Sequence, residues 1–295
     1  MKIPSALMNF IPLMAIPAAF AVPGIGKIFF PYTNWILGAL LFTSFLALDW
    51  SDLKEAVKRP LKPFYVSILI LILSPLIIMP IMGRFFPDFM LGAVIFMLLP
   101  VAVASPAVAG IFGGNVAIAT INAVSTNLLS PFTIPFFLET FMRTSVEVDI
   151  IGMLIKLLLI VFIPFILSVA LNRYCPRLIR KAKGYYRGIS LGLLFLIFFA
   201  AVAPYTHELA SNLLNSRLIV SVFISYFILY FFSRLILVCS PDKAERTAIT
   251  ANMLLPNVGM GVVLVQQYFG PQEMLFLIFC QVLWVILISI FKYFR

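Results

Sequence analysis

Charge is what this chain lacks. Asp, Glu, Lys and Arg make up only 11% of its 295 residues, where a soluble domain carries roughly 25%. Histidine is nearly absent too. The single one, His207, falls in an expected short loop and reads as a solvated residue, not a ligand or base. Cysteine is scarce: Cys175, Cys239 and Cys280 are odd in number and share no metal-knuckle spacing, which excludes a disulfide framework or a zinc centre. Cys175 and Cys239 fall near basic loops, on a side where thiols stay reduced. No set of nucleophile, base and metal ligands stands out, so the chain does not read as an enzyme and calls for no organic cofactor.

The carboxylates are missing from particular places. All eleven, from Asp49 to Glu273, fall in loops or near the ends of apolar runs. Proton relays inside membranes are built from Asp, Glu or His chains, so a proton-coupled antiporter of that kind is disfavoured. Any cation site would have to rest on neutral oxygens.

What is abundant is apolar surface. Hydrophobic residues make up 63% of the chain, with thirty phenylalanines and twenty prolines. A membrane helix needs about 20 mainly apolar residues, and prolines are tolerated there when neighbours re-satisfy the freed backbone. The sequence predicts an all-α membrane protein with ten spans, near 6–26, 34–49, 63–83, 89–111, 116–138, 150–171, 187–205, 217–238, 247–268 and 274–293. The first resembles a signal peptide, with Lys2 before it and Ala19-Phe20-Ala21 within it. Pro12 and Pro17 interrupt its apolar run, so it is expected to be retained.

The net charge of +10 points to the positive-inside rule, not to nucleic acid. With ten spans, one side carries Lys2, Lys54, Lys58, Arg59, Lys62, Arg173, Arg177, Arg180, Lys181, Lys183, Arg187, Arg234, Lys243, Arg246, Lys292 and Arg295. The other carries Lys27, Arg84, Arg143 and Arg217. Both termini are therefore expected in the cytoplasm, in the cell (inner or plasma) membrane. Lys156 sits inside the sixth span and is expected to snorkel to the interface.

Met97-Leu98-Leu99-Pro100 returns as Met253-Leu254-Leu255-Pro256. The first lies in the fourth span, the second in the ninth, which is the fourth of the second half. Five spans per half is an odd number, so the halves (about 1–143 and 144–295 of one transmembrane domain) would be inverted repeats. Proline removes a backbone donor and crowds the carbonyl four residues back. Pro106 adds to the fourth span and Gly259 and Gly261 to the ninth. A matched pair of interrupted spans is the best sequence pointer to a transporter site at the bilayer midplane.

Polar residues gather at these breaks. Asn252 and Asn257 flank Pro256, and Ser105 adjoins Pro106. Asn122, Ser125 and Thr126 share one face of the fifth span by their i, i+3, i+4 spacing, which leaves Thr120 and Asn127 off that face. Gln281 lies in the tenth span. These are the candidate substrate- or ion-binding residues, with Asn252, Ser125 and Thr126 as candidate ligands for Na+. Ser, Thr and Asn also bond across packed membrane helices without binding anything.

Segments 113–135 (GGNVAIATINAVSTNLLSPFTIP), 233–264 (SRLILVCSPDKAERTAITANMLLPNVGMGVVL) and 40–54 (LLFTSFLALDWSDLK), in that spacing, resemble the bile acid:sodium symporter superfamily over nearly the whole chain. The resemblance implies a panel of spans one, two, six and seven. It implies a core of spans three to five and eight to ten, with the broken helices crossing in it. Substrate would bind between the two, and members import bile acids and other organic anions, usually with sodium. The family's ninth span carries a sodium-binding acid five residues before an asparagine. Asn257 matches the asparagine, and Asn252 stands where the acid would be. A family glutamine in the third span falls on Pro75 when Met79-Pro80 is the match. The function so implied is secondary transport of a small organic anion with sodium as the coupling ion; a cation-coupled antiporter of related fold, a passive channel and a non-transporting receptor are the alternatives.

Overall fold

The computed structural model describes residues 11–48, 61–142, 148–237 and 242–293. Cys239, the basic residues Lys2, Lys54, Lys58, Arg59, Arg143 and Arg295, and the start of the first expected span lie outside the described residues. Within them the chain is helical, and its helices run in order as follows: α1 (Ile11–Ala21), α2 (Pro23–Phe29), α3 (Thr33–Ala47), α4 (Leu61–Ile68), α5 (Ser74–Phe85), α6 (Met90–Leu98), α7 (Ser105–Ile111), α8 (Val116–Phe141), α9 (Ile150–Tyr174), α10 (Pro176–Val202), α11 (Thr206–Asn212), α12 (Ser216–Leu237), α13 (Lys243–Leu254), α14 (Val258–Tyr268) and α15 (Pro271–Ser289).

Seven helical runs among the described residues are long and apolar enough to cross a membrane: 23–47, 65–85, 116–141, 150–174, 176–212, 216–235 and 271–290. The sequence led us to expect ten. Two of the missing three are the fourth and ninth spans, which fall short because each is split, into α6 and α7 and into α13 and α14. The first is short within the described residues because α1 stops at Ala21, where Val22 leaves helical geometry ahead of Pro23. A residue before proline is pushed out of the α region.

The seventh expected span, 187–205, needs a correction. Its helix starts eleven residues earlier, at Pro176. The segment Pro176–Arg187 is polar and basic, so hydropathy alone does not register it. Arg and Lys are good helix formers, however, and Pro176 at the first position suits a helix start.

Local chemistry sets the other ends. Asp149, Asp242 and Asn115 each accept a hydrogen bond from a backbone N–H in the first turn of α9, α13 and α8. Glu273 accepts from the Gly270 N–H at 3.0 Å to cap α15. Acidic side chains at N-termini also suit the helix dipole, and the described carboxylates Asp149, Asp242, Glu245, Glu208 and Glu273 sit at or in such first turns. Leu69–Leu73 between α4 and α5 form a π-helical turn. Pro75 follows it and lacks the N–H that a regular ladder would need, which is an ordinary cause of such a bulge.

Packing falls into two groups. α10 lies against α1 and α3, and α3 lies against α9. In the other group α5 packs on α6, α7 on α8 and α13, α12 on α13, and α14 on α15. The groups touch where α8 meets α9 and where α14 meets α10 and α3. Outward-facing side chains such as Ile151, Ile155, Leu159, Phe136 and Phe227 are large, apolar and exposed, which in water would be a liability and in lipid is the expected coat.

Candidate functional site

The two interruptions meet. Leu99–Ala104 separate α6 from α7, and Leu255–Asn257 separate α13 from α14. Between them Val101 and Pro256 form an antiparallel bridge. The Asn257 N–H donates to the Pro100 carbonyl at 2.7 Å, and the Ala102 N–H donates to the Leu255 carbonyl at 2.7 Å. Backbone freed by proline must find partners in an apolar surround, and each break supplies them to the other.

α8 closes the arrangement. Thr126 Oγ1 accepts from the Val101 N–H at 3.1 Å and donates to the Asn122 carbonyl at 2.7 Å. The next residue, Asn127, donates to the Val101 carbonyl at 2.7 Å and to the Ala123 carbonyl at 2.7 Å. Its Oδ1 accepts from Asn257 Nδ2 at 3.4 Å. Asn257 Oδ1 accepts from the Met260 N–H at 3.2 Å and so caps α14. Ser105 Oγ donates to Asn252 Oδ1.

Of the expected site residues, Thr126, Asn257, Ser105 and Asn252 are therefore gathered at the crossing by direct bonds. Ser125 is only half-buried and has no hydrogen bond among the described residues. Asn127, which the face argument had set aside, clamps the first break in its place. The reason is geometric: the N–H and C=O of an extended residue point to opposite sides, so Val101 is held by two successive residues of a facing helix, not by two residues of one face.

Asn122 is fully buried, and both of its amide atoms lack a partner; so do Asn252 Nδ2 and Thr250 Oγ1. Asn115 N–H donates to the Ala244 carbonyl, Asn257 reaches Asn127, and Ser130 Oγ lies 3.9 Å from Met260 Sδ. α8 thus runs alongside α13 and α14 at a nearly constant offset, which sets Asn122 level with Asn252. An unpartnered buried amide costs about 1–3 kcal/mol. Several at one level mark a place where something outside the protein completes the bonding.

A cavity of about 890 Å³ reaches the crossing at Ala102, Pro256 and Asn257 and extends between α3, α10, α7 and α15. Its walls are mainly apolar, from residues such as Leu40, Leu41, Val108, Leu191 and Leu194. Gln281 and Trp284, one helical turn apart on α15, both line it, and Gln281 Nε2 and Trp284 Nε1 have no partner. Toward one end stand Lys183 and Arg187. Among the described residues no carboxylate lines it. Among the described residues the cavity is therefore apolar in body, with donors and positive charge and no acid. Thr120, Lys183, Arg187 and Trp284 were missed by the sequence reading. The signal available for the two cations was their i, i+4 spacing with Ser190, Leu191 and Leu194, a stripe visible only once the helix is started at Pro176. A smaller cavity of about 430 Å³, lined by Asp88, Glu208, Arg217 and neighbours, touches neither break.

The opposite end of this wall is tied together by side-chain contacts. Gln266 Nε2 donates to the Phe30 carbonyl at 2.7 Å, and Gln267 Nε2 donates to Asn34 Oδ1 at 2.6 Å. Lys156 Nζ sits 5.3 Å from the centre of the Tyr268 ring. Asn34 and Leu40, the first cavity-lining residue of α3, are six residues apart, so these contacts and the cavity are separated by about 9 Å along that helix.

Among the described residues no group of three or more His, Cys, Asp or Glu could hold a metal ion. At the crossing itself, the carbonyls of Pro100, Val101, Ala102, Leu255, Pro256 and Asn257 each already accept a hydrogen bond from the protein.

Comparison with known proteins agrees with this architecture. A transporter described as uncharacterised and sodium-dependent, YocS of Bacillus subtilis (strain 168), is 23% identical over 261 residues, 85% of this chain and 79% of its own length. The uncharacterised protein YbaS of the same organism is 22% identical over 269 residues, 88% of this chain and 87% of its own. The model of the SBF-like CPA transporter family matches residues 7–290. With apolar helices throughout and that match over nearly its whole length, the chain is a multi-pass membrane transporter and belongs to the SBF-like CPA transporter family.

Proposed function

We propose that the protein is a secondary transporter that moves a small organic anion across the cell membrane by alternating access. The observation that carries this is the paired breaks at the foot of a cavity whose described lining has donors and cations and no acid. In this reading the ten expected segments form two inverted repeats, 1–143 and 144–295. α1, α3, α9 and α10 make the panel and the remaining spans the core. Asn257 and Gln281 face the substrate directly, while Ser105, Asn122, Thr126 and Asn252 support the crossing. Ser125 has a peripheral place.

The chemistry suits an anion with an apolar body. The carboxylate or similar group takes donors from Gln281, Trp284 and Asn257, and the positive potential of Lys183 and Arg187 draws it in. Apolar walls bury the rest. With the basic end in the cytoplasm, as the positive-inside count supports, the cavity opens inward, and the Gln266 and Gln267 contacts close the outer side.

The test begins with a thermal-shift screen of organic anions against the purified protein. The strongest stabiliser is then followed as radiolabelled uptake into proteoliposomes. Saturable uptake is expected, with Asn257→Ala and Asn252→Ala each lowering its rate at least about tenfold, the effect of losing one buried bond of about 1.4 kcal/mol. Normal uptake by both variants would overturn the site assignment. Flux that never saturates would replace the carrier with a channel.

A further inference from the structure

We infer that this transporter does not couple to sodium: the crossing that would hold the ion has no carboxylate among the described residues, and most of its oxygens already accept hydrogen bonds from the protein. The inference rests on the reading of the breaks as the transport site. One relative carries the description sodium-dependent, so the fit of this chain's residues to that ion can be judged atom by atom.

A bound Na+ needs several oxygens with free lone pairs, and in a buried site it needs a negative charge nearby to offset its desolvation. Here the oxygens at hand already accept one hydrogen bond each, so an ion would have to share each of them with a protein donor. Thr126 Oγ1 receives the Val101 N–H. Asn127 Oδ1 receives the Asn257 amide, and Asn257 Oδ1 receives the Met260 N–H. Asn252 Oδ1 receives the Ser105 hydroxyl. Of the nine carbonyls in the two breaks, those of Pro100, Val101, Ala102, Leu255, Pro256 and Asn257 likewise accept one hydrogen bond each. What is left over at this level is two amide nitrogens, Asn122 Nδ2 and Asn252 Nδ2, and two oxygens, Asn122 Oδ1 and Thr250 Oγ1, too few oxygens on their own to replace the ion's hydration shell.

Charge points the same way. No described carboxylate lies on the crossing or the cavity wall, while Lys183 and Arg187 line that wall. A monovalent cation placed at the crossing would be a buried charge with no counter-ion among the described residues, in a cavity that Lys183 and Arg187 also line. Where the acid of a sodium site would neutralise the ion, Asn252 offers a neutral amide already bonded to Ser105. At Asn252 Oδ1 and at the bridged backbone of the breaks, the pairing that an ion would organise is made by protein groups in advance.

The experiment is a melting series on the purified full-length protein, with NaCl raised from zero to about 200 mM against choline chloride or KCl at constant ionic strength. An ion that binds the folded state raises Tm in a saturable way, by several degrees at about a hundred times its Kd. We expect the sodium and potassium curves to coincide within about 1 °C. A saturable rise specific to sodium would overturn the inference. In parallel, initial uptake of the anion found by the screen is expected to be equal within about twofold in sodium and potassium, and strict dependence on sodium would also overturn it. Absence of uptake in every salt would count against the transport reading alone, because the melting series does not depend on it.

Discussion

The two breaks are built differently. The first, Leu99–Ala104, is the longer and has no side chain of its own to hold it; Val101 is held at both ends by α8, through Thr126 and Asn127. The second, Leu255–Asn257, is shorter and carries its own cap, since Asn257 accepts from the N–H of Met260 at the start of α14. The two then bond to each other through backbone alone. Proline cannot be the whole explanation of either. Pro17, Pro80, Pro131, Pro135 and Pro164 all sit inside continuous helices. A helix parts at Pro100 and Pro256 because an alternative set of partners waits there, and the first break depends on a neighbour for it while the second does not.

That asymmetry can be broken by substitution. Asn127→Ala removes the donor to Val101 and the acceptor for Asn257 together and leaves a buried carbonyl unpaired. It should cost about 2–3 kcal/mol, read as a fall in Tm of about 5 °C by differential scanning fluorimetry. Asn257→Ala removes a helix cap and a long 3.4 Å bond, and should cost about 1 kcal/mol, or about 2 °C in the same melt. If the second exceeds the first, the first break does not depend on α8 as described. Ser125→Ala should stay within about 0.5 kcal/mol and leave Tm and uptake unchanged. A clear loss there would restore Ser125 to the crossing and displace Asn127 from it.

Much of this was legible in the chain. The repeated Met-Leu-Leu-Pro located both breaks, because proline, glycine and amide residues in an apolar run leave few other uses. The tight turn after α7 was visible as Gly113-Gly114-Asn115, and its geometry accounts for them. Gly113 has φ +76°, and a Cβ on Gly114 would lie 3.0 Å from the Ala109 carbonyl oxygen and 3.1 Å from the Ala248 nitrogen. Asn127 was not legible. Periodicity ranks residues by shared face, and what selects Asn127 is the direction of one carbonyl on another segment. Lys183 and Arg187 were hidden for a different reason. A hydropathy window ends a span where charge begins, although a helix continues through charge when its stems can lie along apolar neighbours.

The charge pattern of the crossing has an electrical consequence. A carrier that takes an anion without a companion cation is electrogenic, and each turnover moves one negative charge through the membrane field. With the interior negative by 100 mV, that field is worth about 2.3 kcal/mol per charge, close to a fiftyfold ratio of concentrations. The drive is outward. A cavity fitted with Lys183 and Arg187, and with no acid among its described lining residues, would work, at rest, as a discharge route for anions made inside the cell.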